Sequence, residues 1–251
     1  MSHVAVVIPA RYASVRLPGK PLLNETGKYL IQHVYERAEQ ATRVDSVLVA
    51  TDDERVRDAV ESFGGKVVMT SDRHRSGTDR VAEAVQTLPA NVIVNVQGDE
   101  PEIEPAAIDM AVGLLDRHPE ADMSTLAVPT DDPDTIGDPN VVKVVVDGAG
   151  FALYFSRAPI PASKSYPGFP EGERHVYLTH VGLYAFRRDF LFRFASLGPS
   201  PLEKYESLEQ LRALECGHKI AVGVCNHHAL GIDTPEDYAA FVARWRERGG
   251  H

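Results

Sequence analysis

The sequence has little of what several classes of protein require. Its 251 residues include two cysteines, Cys216 and Cys225, whose spacing matches no zinc or redox motif. A disulfide framework needs more cysteines, so we expect two reduced thiols and a cytoplasmic protein. The first apolar run, residues 4–8, is about one strand long, and no basic region precedes it, so we expect no signal peptide. No run approaches the ~20 apolar residues of a membrane span, and we expect no membrane partner.

Positive charge is also scarce. The chain has 26 basic and 36 acidic side chains, which gives a formal net charge of −10. Nucleic-acid binding through phosphates needs a basic face, so this balance predicts no nucleic-acid partner. The charge is unevenly distributed, because residues 1–24 contain three cations and no acid. This segment carries +3 and the remainder −13, which leaves room for one small basic pocket.

In the first half of the chain, short apolar runs alternate with helical stripes. The runs are typical of buried parallel strands and cover residues 4–8, 47–50, 66–69 and 92–96. Apolar residues at helical spacing lie between them, in residues 30–38, 56–63 and 81–88. This alternation predicts βαβ units and a mostly parallel sheet covered by helices. Ligands of such sheets bind at the carboxyl ends of the strands, so we expect the site in the loops that follow the runs.

The second half of the chain is patterned differently. Strand-like segments cover residues 123–129, 141–147, 152–156, 181–186 and 220–224, and several have no helix between them. Residues 160–177 are rich in proline and glycine, which predicts a functional or flexible loop. Thr234 followed by Pro235 predicts a helix that begins there, with Thr234 as its N-cap.

The first candidate site is the loop after residue 8. Arg11, Arg16 and Lys20 lie close together on a short loop that prolines and a glycine constrain. Arginine offers forked donors to phosphate oxygens and lysine offers a compact charge, so the loop is a candidate anion site. It contains neither a GxGxxG fingerprint nor a Walker A motif. The alternative is a solvated loop with a turn.

Two aspartates are candidate magnesium ligands. Asp99 follows the run 92–96, beside Gly98, which allows a close backbone turn. Asp233 directly precedes the expected helix N-cap. Two carboxylates and substrate phosphates are a usual arrangement around Mg²⁺. The alternatives are an ordinary turn aspartate at residue 99 and, at residue 233, an acid that favours the helix dipole.

The last candidate is a helix start near residue 76. Ser76 and Gly77 precede an expected helix, where a hydroxyl and free backbone N–H groups can bind a polar ligand. Arg80 lies one turn into that helix. The alternative is an ordinary serine cap followed by a surface arginine.

Taken together, these segments resemble the CMP-Kdo synthetases (3-deoxy-manno-octulosonate cytidylyltransferases) over nearly the whole chain. The opening motif is shared with relatives such as the CMP-sialate synthetases, whereas ALYFSR and LEQLR separate the two. The matching segments are 6–22 (VVIPARYASVRLPGKPL), 49–53 (VATDD), 75–80 (RSGTDR), 94–101 (VNVQGDEP), 152–157 (ALYFSR), 200–203 (SPLE), 208–212 (LEQLR) and 231–237 (GIDTPED).

The resemblance implies a fold, a reaction and an organisation. The fold would be a nucleotidyltransferase-type, Rossmann-like three-layer α/β sandwich with a mostly parallel sheet and a small inserted dimerisation subdomain. The reaction would join CTP and Kdo into CMP-Kdo and pyrophosphate, in a Mg²⁺-dependent homodimer. The single domain 1–251 would comprise a CTP-binding half (about 1–130), a sugar-binding and dimerisation part (about 131–230), and a metal-ligand loop with a C-terminal helix (231–251).

The resemblance also implies site residues. Asp99 and Asp233 would be the metal ligands and, with Arg16 and Lys20, the catalytic residues. The nucleotide would contact Pro9, Ala10, Arg11, Arg16, Lys20, Ser76, Gly77, Arg80 and Gln97. The sugar would contact Gln97, Arg157, His180, Tyr184, Glu209 and Gln210. Structural roles remain the alternatives for Arg157 and His180. The alternative functions are a cytidylyltransferase for another acidic sugar, such as an amino analogue of Kdo or a sialic acid, and a non-catalytic nucleotide-binding protein.

Overall fold

The computed structural model describes residues 3–13, 16–74, 76–162, 177–226 and 231–249. Most of the expected 160–177 loop therefore lies outside the described residues. The strands are β1 (Val4–Ala10), β2 (Ser46–Thr51), β3 (Val67–Met69), β4 (Val92–Asn95), β5 (Met123–Pro129), β6 (Lys143–Val146), β7 (Ala152–Ser156), β8 (Leu178–Arg187) and β9 (Ile220–Val224). The helices are α1 (Leu30–Glu39), α2 (Glu54–Ser62), α3 (Gly77–Ala84), α4 (Pro105–Arg117), α5 (Pro133–Gly137), α6 (Arg188–Ser196), α7 (Pro201–Glu206), α8 (Leu211–Glu215) and α9 (Pro235–Glu247).

The chain forms two compact units, and the division falls within α4. The first unit combines Met1–Asp109 with Ala229–His251, and the second is Met110–His228. Among the described residues, no helix has both the length and the apolar composition that a membrane crossing requires.

The first unit contains a parallel sheet in the order β3-β2-β1-β4. The chain proceeds outward from β1 to β3 and then crosses to the other side of β1 to form β4. The carboxyl ends of β1 and β4 therefore flank the point where the strand order reverses, which is where open α/β sheets bind ligands. The four strands that the apolar runs predict are confirmed. The expected burial holds for β1, β2 and β4, whereas the side chains of β3 are half-buried or exposed.

One boundary in this sheet differs from expectation. The run of residues 4–8 predicts that Pro9 ends the first strand, yet β1 continues to Ala10, and Pro9 pairs with Ala50 of β2. The Val7 carbonyl accepts from the Val96 N–H, so the backbone N–H and C=O groups of odd-numbered β1 residues point toward β4. The β4 ladder ends at Val7, so the missing N–H of Pro9 costs the sheet no hydrogen bond.

Helices α1 and α9 build a small core beside the loop that follows β1. The buried members of this cluster are Leu17, Leu30, Ile232, Tyr238, Phe241 and Val242. Helix α9 begins as expected, with Pro235 in its first turn and a capping box between Thr234 and Asp237. This packing brings the segment before α9, which contains Asp233, back to the first unit late in the chain.

The second unit contains a mixed sheet. Strand β5 lies between β8, which is antiparallel to it, and β9, which is parallel, while β6 pairs with both β7 and β8 in the antiparallel sense. The strand-like segments of the sequence are confirmed in each case. Helices α4 to α7 were not predicted from the sequence. Short helices such as α5 and α7 carry no full hydrophobic stripe, so periodicity does not reveal them.

Candidate active site

A pocket of about 410 Å³ lies at the carboxyl ends of β1 and β4. Its volume is within the range usual for small-molecule sites. Charged side chains of both signs and four glycine or alanine residues share the lining, which consists of Pro9, Ala10, Arg11, Ala13, Arg16, Lys20, Pro21, Gly77, Arg80, Gln97, Gly98, Asp99 and Asp233. Every one of these residues belongs to the first unit.

The loop between β1 and α1 is folded back by its own backbone. Gly19 adopts a left-handed conformation, with φ +68°, and its N–H donates to the Tyr12 carbonyl at 3.2 Å. The Arg55 guanidinium lies over the Tyr12 ring, 3.4 Å from the ring centroid, and thereby attaches the loop to α2. The turn that follows Gly19 places Lys20 at the pocket.

Lys20 is the centre of the charged cluster. Its ammonium donates to Asp99 Oδ2 at 2.7 Å, to Asp233 Oδ1 at 3.2 Å and to the Ile232 carbonyl at 2.8 Å. Arg16 Nη2 lies 3.0 Å from Asp233 Oδ2. The structure therefore brings together all four residues that the sequence analysis treats as catalytic. The two aspartates, which are far apart in sequence, converge on one cation.

The backbone before α9 holds Asp233 in place. The carboxylate of Asp237 accepts from the N–H groups of Asp233, at 3.0 Å, and of Thr234, at 2.9 Å. The bond from the Asp233 N–H is the largest of the effects that hold the pKa of Asp237 below its ordinary value. The bond from the Thr234 N–H acts in the same direction, and burial opposes both. The helix cap thus fixes the backbone from which the Asp233 side chain extends.

The segment after β4 is tightly constrained by its neighbours. A Cβ atom at Gly98 would lie 2.9 Å from the Pro9 carbonyl oxygen, so a side chain does not fit there without a backbone shift. Burial, and secondarily the charge of Asp99, raises the pKa of Glu100 to about 8. Glu100 is therefore mostly protonated at pH 7. Of these adjacent carboxyl groups, Asp99 is the one that lines the pocket and pairs with Lys20.

The start of α3 supplies a further side of the pocket. Ser76 is the N-cap, and its hydroxyl accepts from the Asp79 N–H at 3.1 Å. Gly77 and Arg80 line the pocket, whereas Ser76 is outside its lining. The Arg80 side chain is fully buried, and its two terminal nitrogens bind Asp52 and Thr70. The expectation of a surface arginine, the structural alternative at this position, is therefore wrong.

Arg11 connects the loop between β1 and α1 to the segment before α3. Its Nη2 donates to the His74 carbonyl, and the His74 ring in turn binds the Glu83 carboxylate on α3. Glu83 also accepts from the Ser71 N–H at 3.1 Å. This network positions the described part of residues 71–76 against α3.

His180 and Tyr184 lie together on β8 in the second unit. Their ring centroids are 5.4 Å apart, and Phe155 of β7 contacts the His180 ring edge-on at 5.0 Å. Thr125 Oγ1 lies 2.9 Å from His180 Nε2 and also contacts the Val181 and Leu183 carbonyls. Burial lowers the pKa of His180 to about 3, so the ring is neutral at physiological pH and can exchange hydrogen bonds without adding charge.

Arg157 follows β7 and is held by backbone acceptors. Its Nε donates to the Glu206 carbonyl at 2.7 Å and its Nη1 to the Pro139 carbonyl at 2.9 Å. The Glu206 carboxylate accepts from the Arg157 N–H at 2.9 Å and from the Ser156 hydroxyl at 2.7 Å. The buried Lys143 donates to the Arg157 carbonyl at 2.7 Å. The guanidinium orientation is therefore fixed by the local fold.

Glu209 and Gln210 lie in the turn between α7 and α8. Gln210 is 2% exposed, and its Nε2 is a buried donor without a hydrogen-bond partner among the described residues. Such a group costs free energy unless a ligand or water satisfies it. The sequence analysis did not anticipate the supporting residues Asp52, Thr125 and Glu206. Asp52 could have been identified from the sequence, because it follows a predicted strand at the edge of the sheet where ligands bind.

Comparison with known proteins identifies the family of this chain. A family model described as cytidylyltransferase matches residues 5–220. The chain belongs to the cytidylyltransferase family. It is 50% identical to a 3-deoxy-manno-octulosonate cytidylyltransferase of Syntrophotalea carbinolica, over 97% of this chain and 98% of that protein. It is 48% identical to an 8-amino-3,8-dideoxy-manno-octulosonate cytidylyltransferase of Shewanella pealeana, over 96% of this chain and 98% of that protein.

A solved cytidylyltransferase structure agrees with the fold. The chain is similar to CMP:2-keto-3-deoxy-manno-octonic acid synthetase complexed with CTP, with 44% identity and a TM-score of 0.90. The match covers 98% of this chain and 100% of that one. The predicted α/β nucleotidyltransferase fold with a mostly parallel sheet is therefore confirmed.

Proposed function

We propose that this protein transfers the CMP group from CTP to 3-deoxy-D-manno-octulosonate (Kdo), which releases pyrophosphate and supplies activated sugar for lipopolysaccharide synthesis. The observation that carries the proposal is the likeness to the CTP-complexed synthetase, at 44% identity and a TM-score of 0.90. The pocket supports it independently, because four cationic residues and two carboxylates line it at the strand ends where an α/β sheet binds nucleotides.

The described residues fit a Mg²⁺ ion. Asp99 and Asp233 each direct a carboxylate oxygen to the same point, which the Lys20 ammonium takes in this structure. Carboxylate oxygens are suitable ligands for Mg²⁺, which normally keeps several positions for water or phosphate. Among the described residues, no group of three or more His, Cys, Asp and Glu side chains forms a complete metal site. We infer that substrate oxygens would complete the coordination.

We infer the following mechanism. The anomeric oxygen of the sugar attacks the α-phosphorus of CTP in line; this P–O bond forms while the bond to the β-phosphate bridging oxygen breaks. The hydroxyl proton goes to solvent, and pyrophosphate departs with the electron pair of the broken bond. Bound Mg²⁺ would neutralise phosphate charge and favour ionisation of the attacking hydroxyl. Arg11, Arg16 and Lys20 bind the triphosphate, and Lys20 and Arg16 stabilise the charge on pyrophosphate.

The remaining pocket residues would bind the nucleoside. Pro9, Ala10 and Gly77 present backbone close to the ligand, and Arg80 lies in the pocket wall beside them. Ser76 would act through the helix start that its hydroxyl caps. Gln97 lies in the same pocket and would contact both substrates.

The second unit would recognise the sugar acid. Arg157 has a fixed guanidinium suited to a forked pair with the sugar carboxylate. The neutral His180 ring and Tyr184 would bind sugar hydroxyls, together with Glu209 and the unpartnered amide nitrogen of Gln210. In the division that we propose, residues 1–130 bind CTP, 131–230 bind the sugar and form a homodimer, and 231–251 supply a metal ligand.

Two further properties belong to the proposal. A homodimer would have about twice the chain mass of 27.5 kDa in light scattering after gel filtration. The protein would work in the cytoplasm, where CTP is made and consumed. A mass of one chain at micromolar concentration would contradict the dimer.

A second candidate substrate is favoured by a specific observation. The relative of Shewanella pealeana, at 48% identity, is named for the 8-amino analogue of Kdo and is nearly as similar to this chain as the Kdo relatives. The two sugars differ at one end and share the carboxylate and anomeric centre. The chemistry of the first unit would therefore be the same for both.

The test is pyrophosphate release with CTP, Mg²⁺ and a panel of sugar acids. We expect the highest kcat/KM with Kdo, compared with 8-amino-Kdo and a sialic acid. Asp99→Asn and Asp233→Asn should each abolish Mg²⁺-dependent release while circular dichroism shows a folded chain. Asp58→Asn, on the exposed side of α2, is the matched charge control and should retain activity. Near-normal turnover in either pocket variant would refute the metal-ligand role.

A further inference from the structure

Asp52 lies directly after β2, at the same sheet edge as the pocket, and is not among the residues that line it. Its Oδ2 accepts from Arg80 Nη2 at 2.8 Å. The Arg80 side chain is 0% exposed and the Asp52 side chain 19% exposed, so the pair is largely withdrawn from water. A buried guanidinium is costly unless a carboxylate and hydrogen-bond acceptors compensate for its lost hydration.

A second anchor fixes the orientation of the same guanidinium. Arg80 Nη1 donates to Thr70 Oγ1 at 2.6 Å, just beyond the end of β3. The Thr70 hydroxyl donates its own proton to the Thr51 carbonyl at 3.2 Å, so its lone pairs face Arg80. Two strand ends and α3 thus determine where the Arg80 side chain lies. The Arg80 Nε–H is a buried donor without a partner among the described residues.

We propose that Asp52 is a positioning residue for nucleotide binding, which holds the buried Arg80 side chain in the pocket wall beside Ala10 and Gly77. The inference rests on the proposed function, because it assumes that CTP occupies this pocket. Asp52 acts through Arg80 and does not itself contact the substrate. The alternative is that Asp52 only neutralises a buried charge and contributes stability alone.

A double-mutant cycle separates these roles. Asp52→Asn keeps the shape of the side chain but removes the charge that orients Arg80. We expect its CTP dissociation constant, measured by isothermal titration calorimetry, to rise about tenfold, the size of one hydrogen bond to a charged group. In an Arg80→Met background, the same Asp52→Asn change should leave the CTP dissociation constant unaltered, because the group that Asp52 positions is absent.

A matched control comes from the second unit. Glu203 pairs with Arg212 at side-chain exposures of 14% and 8%, so Glu203→Gln also removes the partner of a buried arginine. Both single variants should lower the melting temperature, whereas Asp52→Asn alone should weaken CTP binding. KM for CTP should rise by a similar factor in Asp52→Asn, while kcat and KM for the sugar stay within about twofold.

Thr70→Val provides a second route if Asp52→Asn does not fold. It removes the other anchor of Arg80 without changing charge, and it should weaken CTP binding severalfold in wild-type protein and not in Arg80→Met. If the wild type binds and consumes CTP but these variants keep its CTP affinity, the role of Asp52 is refuted and the proposed function is not. Equal losses in the Arg80 and Arg80→Met backgrounds would also overturn it. A wild type that does not bind CTP would refute both this inference and the proposed function.

Discussion

Lys20 illustrates how one residue can balance a charged site. Its side chain is 14% exposed, and its ammonium lies between Asp99 and Asp233 and pairs with both carboxylates. The arrangement we propose for catalysis requires an exchange of partners, in which Lys20 and Arg16 turn to the triphosphate and Mg²⁺ binds the carboxylates. Lys20 and Arg16 therefore offset the charges of the two aspartates.

Replacement of Lys20 by methionine tests this exchange. We expect turnover of CTP to fall by about 10²–10³, because a positioned donor to the leaving group is lost. Calorimetric titration without CTP should show stronger Mg²⁺ binding than in wild type, because two carboxylates lose their shared cation. Lys28→Met, which removes a half-exposed pair with Glu36 on α1, is the control. An unchanged rate at saturating CTP would refute the role of Lys20.

At the scale of elements, the start of α9 controls the position of Asp233. The Thr234 hydroxyl accepts from the Asp237 N–H at 3.2 Å, and Asp237 in turn binds the backbone of Asp233. Residues 231–237 thus couple a helix cap to a predicted metal ligand. An equivalent capping box, between Ser200 and Glu203, begins α7 in the second unit.

These two caps form a matched pair of variants. Thr234→Ala and Ser200→Ala should each lower the free energy of unfolding by about 1 kcal/mol in urea titrations. We expect Thr234→Ala alone to raise the Mg²⁺ concentration required for half-maximal pyrophosphate release, because Asp233 loses its fixed backbone. If both variants keep the wild-type Mg²⁺ requirement, the cap contributes stability without positioning Asp233.

The contact between α1 and α9 predicts a pH dependence of stability. His33 of α1 is 3% exposed, its ring lies 4.4 Å from that of Trp245, and burial lowers its pKa to about 4. The unfolded chain takes up this proton near pH 6.5 and the folded chain near pH 4, so unfolding binds a proton between these values. Stability contributed by His33 is complete above about pH 6.5 and is lost as the pH falls toward 4.

His33→Gln should remove this contribution. Glutamine can still bond to the Thr26 hydroxyl, which lies 2.7 Å from His33 Nε2, but it does not titrate. We expect the melting temperature of the variant to fall less than that of wild type between pH 7 and pH 5, measured by calorimetry. Parallel curves for the two proteins over this range would contradict the assignment.

The observed helices and strands show how much of the secondary structure can be predicted from sequence patterns. The four strands of the first unit and helices α1, α2, α3 and α9 follow from apolar periodicity and caps. Most of them bury a continuous run or stripe, whereas the apolar side chains of β3 are half-buried or exposed. Helix α4 was not predicted although it has 13 residues, because apolar residues occupy most of its positions and do not form a single stripe. The prediction that Pro9 ends β1 was wrong, because the cost of a proline in a strand depends on whether a neighbouring strand needs its missing N–H.

At the scale of the whole molecule, acidity and function are separate properties. The chain carries −10 overall, yet the cations of residues 1–24 meet at a single pocket. The net charge favours solubility, while local geometry determines which anions bind. A ligand that binds only the folded chain therefore stabilises the first unit, which contains every residue of this pocket.

Ligand-dependent melting measures that coupling. At about a hundredfold excess over its dissociation constant, CTP with Mg²⁺ should stabilise the fold by about 2.7 kcal/mol, a rise of several degrees. Mg²⁺ alone should have a smaller effect, because Lys20 and Arg16 neutralise Asp99 and Asp233. An equal rise with Mg²⁺ alone would show that the carboxylates are accessible without the nucleotide.

The amino-acid sequence by itself determined the parallel α/β pattern of the first unit, the clustered cations and the family, because these depend on local order along the chain. Tertiary structure alone decided that Asp233 meets Lys20, 213 residues away, and that Arg80 is anchored by Asp52 and Thr70. It also showed that Glu206 and Lys143 secure Arg157. Partners of this kind arise from packing between distant elements, and short-range spacing carries no record of them.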